Sequence, residues 1–208
     1  MTPFTTLVGR AVALHRDDVD TDQIVPAEFC KRLTKAGYAD ALFAQWRKQP
    51  DFVLNRAESA GAPILVGGAN FGTGSSREHA VWALRDGGFR AVFASSFGDI
   101  FRRNALKNGL LAITLEHEQL AWLRSRVAAD PALEITTDLE HQTIAAAGRA
   151  IGFDIDSRAR WLLLNGYDEI SVTLRHAHKI DSYEHARAEW MPTLRRARPP
   201  SIDNGAVL

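Results

Sequence analysis

From Ile64 onward, apolar runs too short for helices alternate with amphipathic runs of helical length, and that alternation admits few folds. Ile64-Leu65-Val66, Ala91-Val92-Phe93 and Leu110-Leu111-Ala112-Ile113 are separated by Arg77 to Asp86 and Asp99 to Asn108, and are followed by Glu116 to Ala129. Parallel strands need a helical crossover, so this spacing predicts βαβ units, an α/β fold and a mostly parallel central sheet. Gly87-Gly88 and Asn108-Gly109 supply left-handed stops for two of the helices. Upstream, Leu7 to Leu14 reads as a strand running into the charged turn Arg16-Asp17-Asp18-Val19-Asp20-Thr21-Asp22. The stretch from Lys31 to Ala62 is irregular, helix-like only over Ala39 to Arg47, and is expected to be mobile. Leu133 to Thr136 and Thr143 to Ala145 read as a hairpin in a second, smaller sheet. Trp161 to Leu164, Ile170 with Leu174, and Tyr183 with Trp190 mark two or three C-terminal helices. One domain is expected over residues 1–195, followed by a disordered tail over 196–208 that carries Pro199-Pro200.

Charge and cysteine content narrow the function. Lys plus Arg and Asp plus Glu each number 25, so no long-range field attracts nucleic acid or an anionic membrane. No apolar run approaches the ~18 residues of a membrane span, and Met1 to Arg10 lacks a leader's layout, so a cytoplasmic protein is expected. Cys30 is the one cysteine, which excludes an internal disulfide and leaves too few thiolates for an iron–sulfur cluster, usually held by about three or four. It reads as a small, partly buried apolar residue. His176, His178 and His185 lack the accompanying carboxylate or thiol spacing of a metal site and read as surface or interface residues. No metal site is expected on this chain.

The segment Asn70-Phe71-Gly72-Thr73-Gly74-Ser75-Ser76-Arg77-Glu78-His79 lies between a predicted strand and a predicted helix, where open α/β sheets bind small anions. Its glycines allow a tight turn and close approach to a ligand. Ser75-Ser76-Arg77-Glu78 also fits a capping box, with Ser75 as N-cap and Glu78 at the third helical position. Capping leaves the second serine and the arginine unexplained. Free backbone N–H groups at a helix start favour an anion, and Arg77 can grip a carboxylate with two parallel hydrogen bonds. No Lys-Ser or Lys-Thr follows Gly74, so this is not a P-loop. Arg77 stands where a dinucleotide fingerprint needs its third glycine, and Glu78 where a nucleophile elbow needs glycine.

These residues resemble a known family. Gly72 through Ala80 is similar to the G-x-G-S-S-R-E-H-A signature of the aconitase swivelling domain. Asp18 through Pro26 resembles that family's D-x-D-T-D-x-I-x-P, and Phe97 through Leu111 its F-x-x-I-F-x-x-N-x-x-x-x-G-L-L. Within the aconitase/isopropylmalate isomerase family, a free-standing chain of this length resembles the separate small subunits, and residues from Asn165 to Pro192 resemble their longer bacterial form. Thr73 departs from many bacterial relatives, which carry cysteine there, while others carry glutamate.

The resemblance implies a β/β/α swivelling domain with added C-terminal helices. It also implies a hydro-lyase of leucine biosynthesis that isomerises 2-isopropylmalate and 3-isopropylmalate by dehydration and rehydration. Such a chain is active only with a large partner subunit, whose [4Fe–4S] cluster acts as Lewis acid, and binds no cofactor itself. Ser75 would be the base at the substrate carbon. Ser76 and Arg77 would hold a carboxylate of the dicarboxylate hydroxy-acid, Arg32 would add a second cation, and Leu33 would meet the isopropyl group. Asp20, Thr21 and Asp22 would orient these groups or simply serve their own turn. Gly72, Gly74, Glu78, His79 and Asn104 would support the site, with His79 either a proton relay or an ordinary packed helix histidine. Two alternatives stand beside this one: a related hydro-lyase of the citramalate or homoaconitase type, and a non-enzymatic small-anion binding module.

Overall fold

The structure is a computed structural model that describes residues 1–75, 77–188 and 190–192. The chain divides into two compact units, Met1–Glu169 and Ile170–Leu208. The first is a mixed α/β fold. Its strands are β1 (Thr6–Ala13), β2 (Ile64–Val66), β3 (Ala91–Ala94), β4 (Leu111–Thr114), β5 (Glu134–Asp138), β6 (Thr143–Ala146) and β7 (Arg149–Gly152). Helices α1 (Thr21–Ile24), α2 (Glu78–Asp86), α3 (Asp99–Lys107), α4 (His117–Ala129) and α5 (Ser157–Asn165) complete it. In the second unit, α6 (Glu169–Leu174) leads to α7 (Ala177–Ala186), where His178 and His185 are exposed. The expected tail over 196–208 lies outside the described residues. Among the described residues no helix is long and apolar enough to cross a membrane.

All seven strands form one sheet in the order β4-β3-β2-β1-β5-β6-β7. Strands β1 to β4 pair in parallel and β5 to β7 continue antiparallel, so only β5 and β7 run against the other five. The predicted hairpin therefore extends the main sheet rather than starting a second one. It does so because β1 has two edges: β2 takes one through Val12↔Leu65, and β5 takes the other through Val8↔Thr136. A third antiparallel strand, β7, goes beyond the sequence expectation, since Ala150-Ile151 is too short an apolar run to stand out.

The short apolar runs are strands because both faces of the parallel half are covered. Val12, Leu65, Val92 and Ala112 share one row across the sheet and pack against α2, α3 and the segment from Ile24 to Leu54. Their neighbours Ile64, Val66, Ala91, Phe93, Leu111 and Ile113 face the other way, against α4, α5 and the β5–β7 strands. Each fully buried Val, Leu, Ile or Phe side chain among these contributes roughly 1.5–3 kcal/mol. Gly88 (φ +95°) and Gly109 (φ +76°) end α2 and α3 in the left-handed conformation expected of them.

The segment from Lys31 to Ala62 corrects two expectations. Residues 39–45 form turns, followed by one 3-10 turn at Trp46–Lys48, instead of a helix. Phe43 takes a left-handed φ of +50°, which a right-handed helix cannot contain, and Leu42 and Phe43 are both fully buried in this arrangement. Far from being loose, the segment buries Tyr38, Ala41, Leu42, Phe43, Phe52 and Leu54, with Phe43 stacked on Trp46 at 5.2 Å. Cys30 is half-buried against this core, as a small apolar residue would be.

Candidate active site

Loops leaving the carboxyl ends of β1, β2 and β3 converge, at the edge where open α/β sheets place ligands. Backbone hydrogen bonds stitch them together. Gly72 N–H donates to Val19 O (2.7 Å), Thr21 N–H to Thr73 O (3.0 Å), Phe71 N–H to Ser96 O (3.0 Å) and Gly98 N–H to Phe71 O (2.9 Å). Side chains add to the seam: Asp17 Oδ1 accepts from Ala69 N–H (2.7 Å), and Ser96 Oγ accepts from Asn70 N–H (2.7 Å). Asp18 and Asn70 both take a φ of +53°, which these two residue types tolerate, and Asn70 Nδ2 donates to Asp18 Oδ1 at 2.9 Å.

The glycines of the motif sit where side chains are excluded. Gly72 has a φ of +76°, and a Cβ there would lie 2.6 Å from Phe101 Cβ; Gly98 crosses so close that its Cβ would lie 2.6 Å from Gly72 O. Gly74, at φ +85°, turns the chain beside Asp20.

That turn overrules the predicted capping box. Helix α2 begins at Glu78 with Arg77 as N-cap, and no described side chain caps it. Thr21, itself 2% exposed, donates from Oγ1 to the Ser75 carbonyl at 2.6 Å and holds Ser75 to the β1 loop, ahead of the helix. Ser75 is exposed and no side-chain hydrogen bond ties it to another described residue. Ser76 lies outside the described residues. Glu78 is the first residue of the helix, not the third, and its carboxylate accepts from Asn108 Nδ2 at 2.7 Å.

Beside the motif a capping box does form, on α1. Asp20 Oδ1 accepts from Gln23 N–H (2.7 Å) while Gln23 Oε1 accepts from Asp20 N–H (3.0 Å). Asp20 thus serves its own turn, whereas Thr21 and Asp22 reach the motif. Asp22 forms an ion pair with Arg77, and this hydrogen bond holds the guanidinium above its ordinary pKa, so Arg77 stays charged.

Arg32 is no loose surface charge. Its guanidinium grips both carboxylate oxygens of Asp40 (2.7 Å each), donates to Gly37 O, and lies 5.0 Å from the Phe29 ring. That pairing raises the Arg32 pKa and lowers that of Asp40. Leu33 beside it is fully exposed. His79 packs its ring against Trp82 at 4.8 Å and Tyr38 at 5.5 Å. Asn104 contributes its carbonyl, which accepts from the backbone N–H (3.0 Å) and Nδ2 (2.9 Å) of Asn108.

Three supporting residues are not evident as such from sequence. Ser96 is tied to Asn70 across 26 residues, and the Tyr38 backbone N–H to Asp86 across 48, contacts that leave no mark on the local sequence. Asn108 reads in sequence only as a helix stop, a role that hides its side-chain bonds. The remaining donor set does not suit a metal: among the described residues no group of three or more His, Cys, Asp or Glu could hold one.

Comparison with known proteins agrees with this geometry. A family model described as Aconitase C-terminal domain matches residues 1–118, more than half of the chain. A model described as LeuD_N matches residues 123–157, and one for the C-terminal domain of the 3-isopropylmalate dehydratase small subunit matches residues 169–197. The chain is 56% identical over 195 residues to the 3-isopropylmalate dehydratase small subunit of Acidothermus cellulolyticus, covering 94% of this chain and 99% of that one. Against the small subunit of Clavibacter michiganensis it is 50% identical over 204 residues, covering 98% and 100%. The crystal structure of 3-isopropylmalate dehydratase from Methanocaldococcus jannaschii superposes with a TM-score of 0.64 at 28% identity, covering 86% of this chain and 99% of that one. With similarity reaching both ends of the relatives, the chain belongs to the 3-isopropylmalate dehydratase small-subunit family of aconitase-type hydro-lyases.

Proposed function

We propose that this chain, acting in the cytoplasm, is the small subunit of a hydro-lyase of leucine biosynthesis. It interconverts 2-isopropylmalate and 3-isopropylmalate in company with a large subunit that carries a [4Fe–4S] cluster. The observation that carries this reading is the pairing of an exposed Ser75, locked through its carbonyl, with the charged Arg77 at the start of α2. The residues of this chain do not fit a cluster, since its one cysteine is half-buried against the core, and this supports the reading that the partner holds the iron.

On this chain Ser75 Oγ, acting as its alkoxide, takes the carbon-bound proton of the hydroxy-acid to become the neutral hydroxyl and later returns it. Loss of that proton and of the hydroxyl forms an alkene diacid, and water re-added with the opposite regiochemistry gives the isomer, with no net redox change. Arg77 has five N–H donors, of which the bond to Asp22 uses one, so another edge is left to grip a carboxylate in parallel. Ser76 adds a second donor there. Arg77→Lys replaces the fork by a point charge that cannot serve Asp22 and substrate together. KM for 2-isopropylmalate should rise on the order of tenfold, about the worth of one charge-assisted hydrogen bond, with a smaller change in kcat. Steady-state kinetics of the complex measures both.

The reading is tested by reconstitution. Purified alone, the chain should not turn over 2-isopropylmalate; with the large subunit under reducing, anaerobic conditions it should, and faster than with citramalate or homocitrate. Turnover by the isolated chain at the rate of the complex would sink the reading, and a preference for citramalate or homocitrate would redirect it.

A further inference from the structure

We infer that Asn108 is a positioning residue for this reaction, whose side-chain amide pins the first turn of α2, immediately after Ser75 and Arg77, to the end of α3. The inference rests on the proposed roles of those two residues. Asn108 Nδ2 donates to Glu78 Oε1 at 2.7 Å and to Asn104 O at 2.9 Å, while its Oδ1 accepts from Trp82 Nε1 at 3.2 Å. An indole N–H can only donate, and a carboxylate and a carbonyl can only accept, so the amide fits one way round with both its ends engaged.

The placement of these bonds gives them their effect. Glu78 and Trp82 are four residues apart, on one face of α2, so a single side chain grips both ends of its first turn. Among the described residues no side chain caps that turn, so bonds from outside the helix bear on its position. The grip also continues beyond α2. The Trp82 ring lies 5.7 Å from Tyr38, whose hydroxyl shares its one proton between Thr34 O at 3.1 Å and Arg32 O at 3.3 Å. Asn108 thereby steadies the start of α2 and the support on which the Arg32–Leu33 segment rests.

Asparagine is the residue this junction needs. Aspartate would set a carboxylate against Glu78 and Asn104 O, and alanine would release Glu78 and Trp82 together. In the complex with the large subunit, with 2-isopropylmalate as substrate, Asn108→Ala should lower kcat about tenfold and Asn108→Asp about 100-fold, since small misplacements of reacting groups carry losses of that order. KM should stay within about threefold in both. Adding Glu78→Gln to Asn108→Asp restores a donor–acceptor pair and should recover most of the lost kcat.

Thermal melts of each variant separate positioning from unfolding. The inference is overturned if the alanine and aspartate variants keep kcat within about twofold of the unmodified complex, or if the double variant is no faster than Asn108→Asp while both melt normally. Should Asn108→Asp fail to fold, Asn108→Ser, too short to reach both Glu78 and Trp82, carries the same test: a normal kcat overturns the inference and a severalfold loss supports it. A complex of unmodified chains that fails on isopropylmalate would overturn the proposed function and this inference with it, whereas normal turnover with indifferent Asn108 variants overturns this inference alone.

Discussion

Ser75→Ala should reduce turnover of the reconstituted complex by about 10²–10⁴-fold, the range of a positioned general base, while 2-isopropylmalate still binds. The substitution is clean in this structure. Thr21 Oγ1 holds Ser75 through its backbone carbonyl, which alanine keeps, and no described residue depends on the Ser75 hydroxyl. The loop should therefore stay in place when the hydroxyl is removed. Steady-state rates together with calorimetric titration of substrate distinguish the two readings of the segment. Retained binding with lost turnover identifies a base. A kcat within about threefold of normal would show that Ser75 takes no part in proton transfer, because removing a working base costs at least about 10²-fold.

Gly72→Ala should carry the largest stability loss of any single methyl addition in the motif. Alanine at φ +76° costs about 1–2 kcal/mol in the backbone, and its Cβ would fall 2.6 Å from Phe101 Cβ, adding an overpacking strain of about 1–3 kcal/mol. The sum of about 2–5 kcal/mol lowers Tm on the order of 10 °C for a chain of this size. Gly148→Ala separates the two contributions. Gly148 also has a left-handed φ, +74°, but nothing lies within 4 Å of an added Cβ, so its substitution carries the backbone strain alone. If Gly72→Ala melts no lower than Gly148→Ala, close packing of the β2 loop on α3 is not what demands glycine there.

Much of the fold is readable in the sequence because its signals are local. The strands at Ile64, Ala91 and Leu111, the helices between them and the glycine stops at 88 and 109 each follow from periodicity or a single φ preference. The candidate site is legible as a set of residues for the same reason, since Asp20 to Asp22 and Gly72 to His79 are contiguous runs. Their roles are less legible. A capping box at Ser75 satisfies every local rule, yet Gly74 and the Thr21–Ser75 bond between segments 54 residues apart move the helix start to Glu78. The box that forms beside the motif, Asp20 with Gln23, reads in sequence as an ordinary acidic turn.

Alone, then, the sequence settled the α/β class, the residues of the candidate segment and the absence of cysteines enough for a cluster, because each depends on residue type or on spacing along the chain. Tertiary structure decided everything that depends on which segments meet. It joined β5 to the free edge of β1 to make one sheet, bent residues 39–45 into turns to bury Leu42 and Phe43, and gave Arg77 to Asp22, Arg32 to Asp40 and Glu78 to Asn108. The physical reason is common to all of them: hydrogen bonds, ion pairs and burial act through space, and a residue's partner need leave no mark on its neighbours in sequence.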